Sequence, residues 1–271
     1  MRTKISSKGL EIDKNLSEGL AQTDMEKIKY IVIKDLLGTT GRFRLGFAWI
    51  VLEPMLAALI YVFLFSVINS NIAGEQIIIG IGTYGVFSSS FRSGLNALGD
   101  KNGGFTAERI STDVLIKSQM IFSALEGAIK AIAMLILLYG TMNIQFPSGL
   151  FFIPICSFFS IFSRSLGYNL ALICTNSPDI RQIFDFIIRL LFFVSPVLYP
   201  LSIAEGFHRE ISEFNPLTYF IEYSRYVCGV VDTGLIPDSP WKIATLLFFI
   251  GFSVRGSIVL DKYRWRVSTW N

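Results

Sequence analysis

The chain has 271 residues, of which 52% are hydrophobic and only 17% charged, with a mean hydropathy of +0.52. Soluble domains carry about 25% charged residues, so this composition excludes an ordinary soluble enzyme and a disordered chain. Three scattered cysteines, Cys156, Cys174 and Cys228, make no disulfide framework, and no Cys/His spacing suggests zinc.

The first 24 residues are polar, with no leader of the cleaved kind expected. Thr23-Asp-Met-Glu26 is a capping-box pattern. Met25, Ile28, Val32 and Leu36 then recur at helical spacing, with Lys27 and Lys34 opposite, predicting an amphipathic helix over 24–37 that Gly38 and Gly41 end. It reads either as an anchor on the inner membrane surface or as a docking element for a partner.

Six apolar runs follow, at 46–69, 76–99, 116–140, 148–175, 183–203 and 242–261. Each is long enough for a helix to cross a bilayer core, which takes about 20 apolar residues. The runs are continuous rather than alternating, which argues against a barrel. The predicted fold is therefore an all-α membrane protein of six transmembrane helices. Residues 1–45 form a cytoplasmic segment, 46–261 the transmembrane domain and 262–271 a cytoplasmic tail. Lysines and arginines concentrate before the first run, in 100–117, at Arg181 and in the tail, against Arg209, Arg225 and Lys242 on the other side. That bias places both termini in the cytoplasm.

Glu53, Glu126, Lys130, Arg164, Asp185 and Arg189 fall inside the runs, where charge is costly. Glu126/Lys130 and Asp185/Arg189 are spaced to pair along one helix. Arg164 needs a partner on another helix, or water. These groups either pack the helices together or line a conduit. The inner loops 100–115 and 176–182 are too short for a domain, and no GxxxxGK[ST] phosphate loop occurs. No cofactor or metal is therefore expected in this chain. His208 stands alone in an outer loop, poor material for a membrane transferase.

Residues 204–240 form an outer segment holding an apolar helix over 216–228. Asn215 suits its cap, Pro216 its first position and Gly229 its stop. Leu217, Phe220, Ile221, Ser224 and Cys228 share one face, while Glu222 and Arg225 share another. It is too short to span and reads as a re-entrant or interfacial helix, either a lid or a gate, with Tyr219, Tyr223 and Tyr226 at home at the interface.

Three motifs lie in order: Gly41-Arg-Phe-Arg-Leu-Gly-Phe-Ala-Trp-Ile-Val-Leu-Glu-Pro54, Ser195-Pro-Val-Leu-Tyr-Pro200 and Asn215-Pro-Leu-Thr-Tyr-Phe-Ile-Glu-Tyr-Ser-Arg225. Together they resemble the ABC type-2 permeases of polysaccharide export, KpsM-like for capsule and Wzm-like for O-antigen, over essentially the whole chain. Loop 100–115 departs from them in lacking a Lys-x-x-x-Phe-Pro stretch. The resemblance implies a permease subunit that is not itself an enzyme, in the bacterial inner membrane. It implies a homodimer working with two copies of a separate ABC ATP-binding subunit, which would hold ATP and Mg. The cargo would be a lipid-linked glycan, and periplasmic and outer-membrane export proteins would be further partners, with no nucleic acid. Teichoic acid, a small lipid or a drug are the alternative cargoes.

On this reading, substrate enters at the inner mouth beside Arg42, Arg44, Leu45, Gly46, Trp49 and Glu53. ATPase coupling falls to Lys27, Lys34, Glu108 and Arg109. The outer gate comprises Pro216, Tyr219, Phe220, Glu222, Tyr223 and Arg225.

Overall fold

The computed structural model describes residues 14–38, 48–68, 72–98, 111–141, 148–231 and 239–268. Among them the chain is all-helical: α1 (Lys14–Gly38), α2 (Ala48–Val67), α3 (Gly74–Leu95), α4 (Thr112–Thr141), α5 (Phe152–Asn176), α6 (Pro178–Val194), α7 (Gly206–Phe214), α8 (Pro216–Val227) and α9 (Pro240–Ser268). Short 3-10 turns precede α5 and follow α6. Helices suit this composition because each satisfies its own backbone polar groups without water.

Among the described residues, four helices are long and apolar enough to cross a membrane: Ala48–Val67, Thr112–Gly140, Gly149–Thr175 and Pro240–Leu260. The other two expected spans correspond to α3, 22 residues diluted by serine, threonine and glycine, and α6, 17 residues. The expected run 183–203 is shifted: α6 starts at Pro178 and ends at Val194. Ser195-Pro196 breaks it there, since a residue before proline is pushed out of the helical region.

α5 is the central helix, packed against α3, α4 and α9. Small residues let the backbones approach. A Cβ on Gly94 of α3 would meet the Arg164 carbonyl oxygen of α5 at 2.2 Å, and one on Gly167 of α5 would meet the Phe91 carbonyl oxygen at 2.4 Å. A stacked aromatic core lies alongside, with Phe159 and Phe220 ring centroids 4.2 Å apart.

Two groups of contacts mark opposite ends of the bundle. At one end Ile28, Ile31 and Val32 of α1 pack with Leu98, Val114, Leu115, Tyr168, Ala171 and Leu260. At the other end α7 and α8 close over the start of α3 and the end of α6. The amphipathic helix thus begins ten residues before the expected 24, and its seated face differs: Ile28 and Val32 are buried as expected, whereas Met25 is 54% exposed.

Candidate functional site

At the α8 end, the local sequence builds the helix as its residue types require. The Asn215 side chain accepts from the Leu217 amide at 3.0 Å, Pro216 opens the first turn and Gly229 ends the helix at φ 72°. The Val230 amide then bonds back to the Arg225 carbonyl at 3.0 Å, satisfying the end of the helix. Asn215 Nδ2 also donates to Ser195 Oγ at 2.7 Å, fastening the third motif to the second.

Arg225 is the centre of this end. Its Nε donates to the Gln76 carbonyl at 3.1 Å, its Nη1 to the carbonyls of Pro196 (2.8 Å) and Tyr199 (3.0 Å), and its Nη2 to that of Val197 (2.8 Å). Nη1 also donates to Glu222 Oε1 at 2.6 Å, and the same oxygen accepts from the Leu201 amide at 3.1 Å. Arg225 is fully buried. One guanidinium therefore gathers carbonyls from three of the residues in 195–200 and one from α3. Its fork of five donors suits this task where a lysine does not. Glycine at position 80 makes room, because a Cβ there would sit 1.9 Å from the Val197 carbonyl oxygen.

This placement corrects the expected faces of α8. Glu222 and Arg225 lie on the buried side together with Leu217, Ile221 and Ser224, not on a face apart from them. Tyr219 is buried too, its hydroxyl donating to the Glu213 carbonyl at 2.8 Å, and Phe220 stacks in the core. Pro216 is partly exposed. Tyr223 and Tyr226 point outward and, with Phe151, Pro154, Ile155 and Val227, line a groove of about 380 Å³.

α7 is tied in by Glu213, which accepts from Arg209 at 2.9 Å and from Lys242 of α9 at 2.5 Å. The hydrogen bonds from Lys242 and Arg209 hold its carboxyl below the usual carboxylate range. His208, the lone histidine, is exposed and bonds to the Tyr199 hydroxyl.

At the α1 end, Lys27 and Lys34 are both exposed, and Lys27 pairs with Asp24 at 3.2 Å. Asp35 accepts from Gln119 of α4 at 2.6 Å. Burial pushes the Asp35 carboxyl pKa up, against the pull of that bond, Lys34 and Arg164. Trp49 and Glu53 lie exposed on the first turns of α2. Arg42, Arg44, Leu45, Gly46, Glu108 and Arg109 lie outside the described residues.

The charges within the bundle pair as follows. Glu126 and Lys130 form the expected pair at 2.5 Å. Asp185 does not pair with Arg189; it binds Arg92 of α3 at 2.9 Å, while Arg189 is exposed. Arg164 finds partners on α4, donating to Gln119 Oε1 at 2.7 Å and standing 3.7 Å from Glu126. Sequence reasoning missed Gln119 and Asp35, ordinary polar residues whose partners come from distant elements, so no local pattern marks them; Ser195 was noted as the start of a motif, but not its bond to Asn215.

A family model for the ABC-2 type transporter matches residues 26–228, from within α1 to the end of α8. The chain belongs to that family. This ABC-2 transporter chain is 32% identical over 163 residues to the O-antigen export system permease protein RfbA of Myxococcus xanthus, covering 58% of this chain and 62% of that relative. It is 20% identical over 235 residues to the polysialic acid transport protein KpsM of Escherichia coli, covering 84% and 91%. Membership makes the chain a membrane-embedded transporter subunit, in keeping with its long apolar helices.

Proposed function

We propose that this chain is the transmembrane permease of an ATP-driven exporter that moves a lipid-linked polysaccharide, capsular or O-antigen, from the cytoplasm across the bacterial inner membrane. The observation that carries this reading is the similarity to two polysaccharide transport permeases within a family match that covers most of the chain. α2, α3, α4, α5, α6 and α9 are the six spans, with the α1 end cytoplasmic. A hydrated glycan cannot enter hydrocarbon, because each unpaired hydroxyl costs several kcal/mol there. The polar conduit it needs is wider than six helices enclose, so the working unit is a homodimer with two ATP-binding subunits.

On this reading α1, through Lys27 and Lys34, and loop 100–115, through Glu108 and Arg109, receive the ATPase. Arg42, Arg44 and the Leu45-Gly46 turn border the inner mouth with Trp49 and Glu53. α7 and α8 shape the outer exit. Because Glu222 and Arg225 are buried, they anchor that gate, and its outward surface is carried by Tyr223.

The test is deletion of the gene in its host. The expected result is loss of surface polysaccharide with lipid-linked glycan accumulating inside, both reversed by this chain and by no variant of the complex whose ATP-binding subunit lacks its phosphate-loop lysine. Normal surface glycan after deletion, with loss of a teichoic acid or altered drug resistance instead, rejects the polysaccharide assignment.

A further inference from the structure

One face of α6 is open without being wholly apolar. Gln182, Phe186, Arg189 and Phe193 recur along it at helical spacing, and all four are exposed. Arg189 makes no hydrogen bond or ion pair among the described residues. Asp185, one turn earlier, is taken by Arg92 of α3 at 2.9 Å, and both of those side chains are partly open. The ring pair Tyr61–Phe192, with centroids 5.6 Å apart, sets α2 beside α6. Arg189 is then level with Ala58, and the exposed Glu53 of α2 lies about 7.5 Å nearer the inner end at 1.5 Å per residue. The chain makes no ion pair between the two.

Depth decides what this arginine can face. It stands eleven residues past Pro178, where α6 begins, which is about 16 Å along the axis. The hydrocarbon core is about 30 Å thick, so Arg189 lies near its middle. Side chains on a helix lean towards its N-terminus, so the guanidinium points back into the core rather than out past Val194. A charge at that depth is not left against lipid; it faces the bundle interior or water. The interior of this chain is excluded, because Arg189 is exposed.

We propose that this stripe of α6 lines the water-filled conduit and that Arg189 is its anion-binding group, meeting a carboxylate or phosphate of the passing cargo. This rests on the reading above, in which α6 is a span and a second copy stands across the conduit. Two guanidiniums, one from each copy, then face the same passage. Each has a fork of donors that fits carboxylate and phosphate alike. Phe186 and Phe193, a turn to either side, supply low-dielectric walls that concentrate the field of the charge. An uncharged stretch of glycan gains nothing from this contact, so the site favours cargo that carries anionic groups, along the sugar chain or at its lipid end.

The test uses the complex of this chain with its ATP-binding partner in lipid discs, with Phe193→Cys as the reporter, since the native cysteines are buried. It is labelled with an anionic sulfonate and a cationic trimethylammonium methanethiosulfonate, neither of which crosses lipid. Both reagents label it. The ratio of anionic to cationic rate falls about tenfold when Arg189→Gln is added, as one charge a helical turn away in watery surroundings requires, and is kept in Arg189→Lys. Inorganic pyrophosphate, a soluble oligogalacturonate and neutral dextran are then added as probes. Slowing by pyrophosphate assigns the anion to the phosphate at the lipid end; slowing by oligogalacturonate alone assigns it to sugar carboxylates. No labelling overturns the placement in the conduit. A ratio that Arg189→Gln leaves unchanged, as when the arginine is spent on Glu53 of the second copy, overturns the anion site, and so does equal slowing by dextran or slowing by no probe. An anion-selective site in a protein whose deletion leaves surface glycan normal overturns the export reading and leaves this site standing.

Discussion

At the residue scale, Arg225 carries the largest single consequence. Removing it takes the guanidinium from four backbone carbonyls and leaves the buried Glu222 carboxylate without its counter-charge, held by the Leu201 amide alone. Breaking such a buried pair costs about 3–5 kcal/mol, so Arg225→Ala lowers the melting temperature of the purified protein steeply, and Arg225→Lys recovers only part of the loss. Tyr223→Ala, on the exposed side of the same helix, leaves melting within about 0.5 kcal/mol of wild type and reduces export if that face is the gate. A melting temperature for Arg225→Ala equal to wild type would show that the carbonyls find other donors. Glu213 gives a pH signature. Its folded pKa is depressed by the hydrogen bonds from Lys242 and Arg209. The stability it contributes is therefore present above the ordinary carboxylate value of about 4.3 and is lost as pH falls through the lower folded value. Glu213→Gln is less stable than wild type at neutral pH, and the gap closes towards the acid end; a gap independent of pH rejects this ion-pair account.

At the element scale, hydropathy and punctuation made most helices legible, and pairing between elements was not. The Asn215-Pro216 start and the Gly229 stop of α8 follow from local chemistry, so its bounds were found within one residue. The end of α6 was missed because apolar residues continue through 197–201, while Ser195-Pro196 already breaks the helix. Asp185 was assigned to Arg189 by spacing, yet the helix turns Asp185 towards Arg92. Spacing fixes what lies along one helix; it carries no information on which neighbour packs against each face. The same gap hid the face on which Glu222 and Arg225 lie. The α3–α5 crossing depends on two glycines that looked incidental in sequence. Gly167→Leu drives a side chain into the Phe91 carbonyl and the Leu95 amide. Overpacking of this kind costs about 1–3 kcal/mol or more, and reduced yield of folded protein in detergent measures it; unchanged yield and melting would mean that α3 and α5 can part without loss.

At the scale of the whole molecule, the apolar faces that remain open are large. α2 has only Ala58 fully buried, and Leu56, Ile60, Phe63 and Val67 stand exposed along it. α6 and α9 present similar faces through Phe186, Leu190, Phe193, Leu247, Phe248 and Val254. Lipid covers such surfaces in a membrane-embedded transporter, and on the proposed reading a second copy of the chain covers part of them. The opposite placement of α1 and α8 yields a further expectation. A cysteine replacing Lys27 crosslinks to the ATP-binding subunit, whereas one replacing Tyr223 does not; the reverse pattern inverts the assignment of the two ends.

The reach of Arg225 also sets an order of assembly. Its partners at 196, 197 and 199 leave the ribosome shortly before it, but Gln76 precedes it by 149 residues. The segment at 195–200 therefore has its carbonyls in place, without their common donor, until α8 is made. Biogenesis of this end is a late step that waits on the chain near residue 225, and α3 must already stand in position to receive it. A nascent chain halted before α8 lacks the donor that ties 195–200 to α3, so that end stays unlatched until residue 225 arrives.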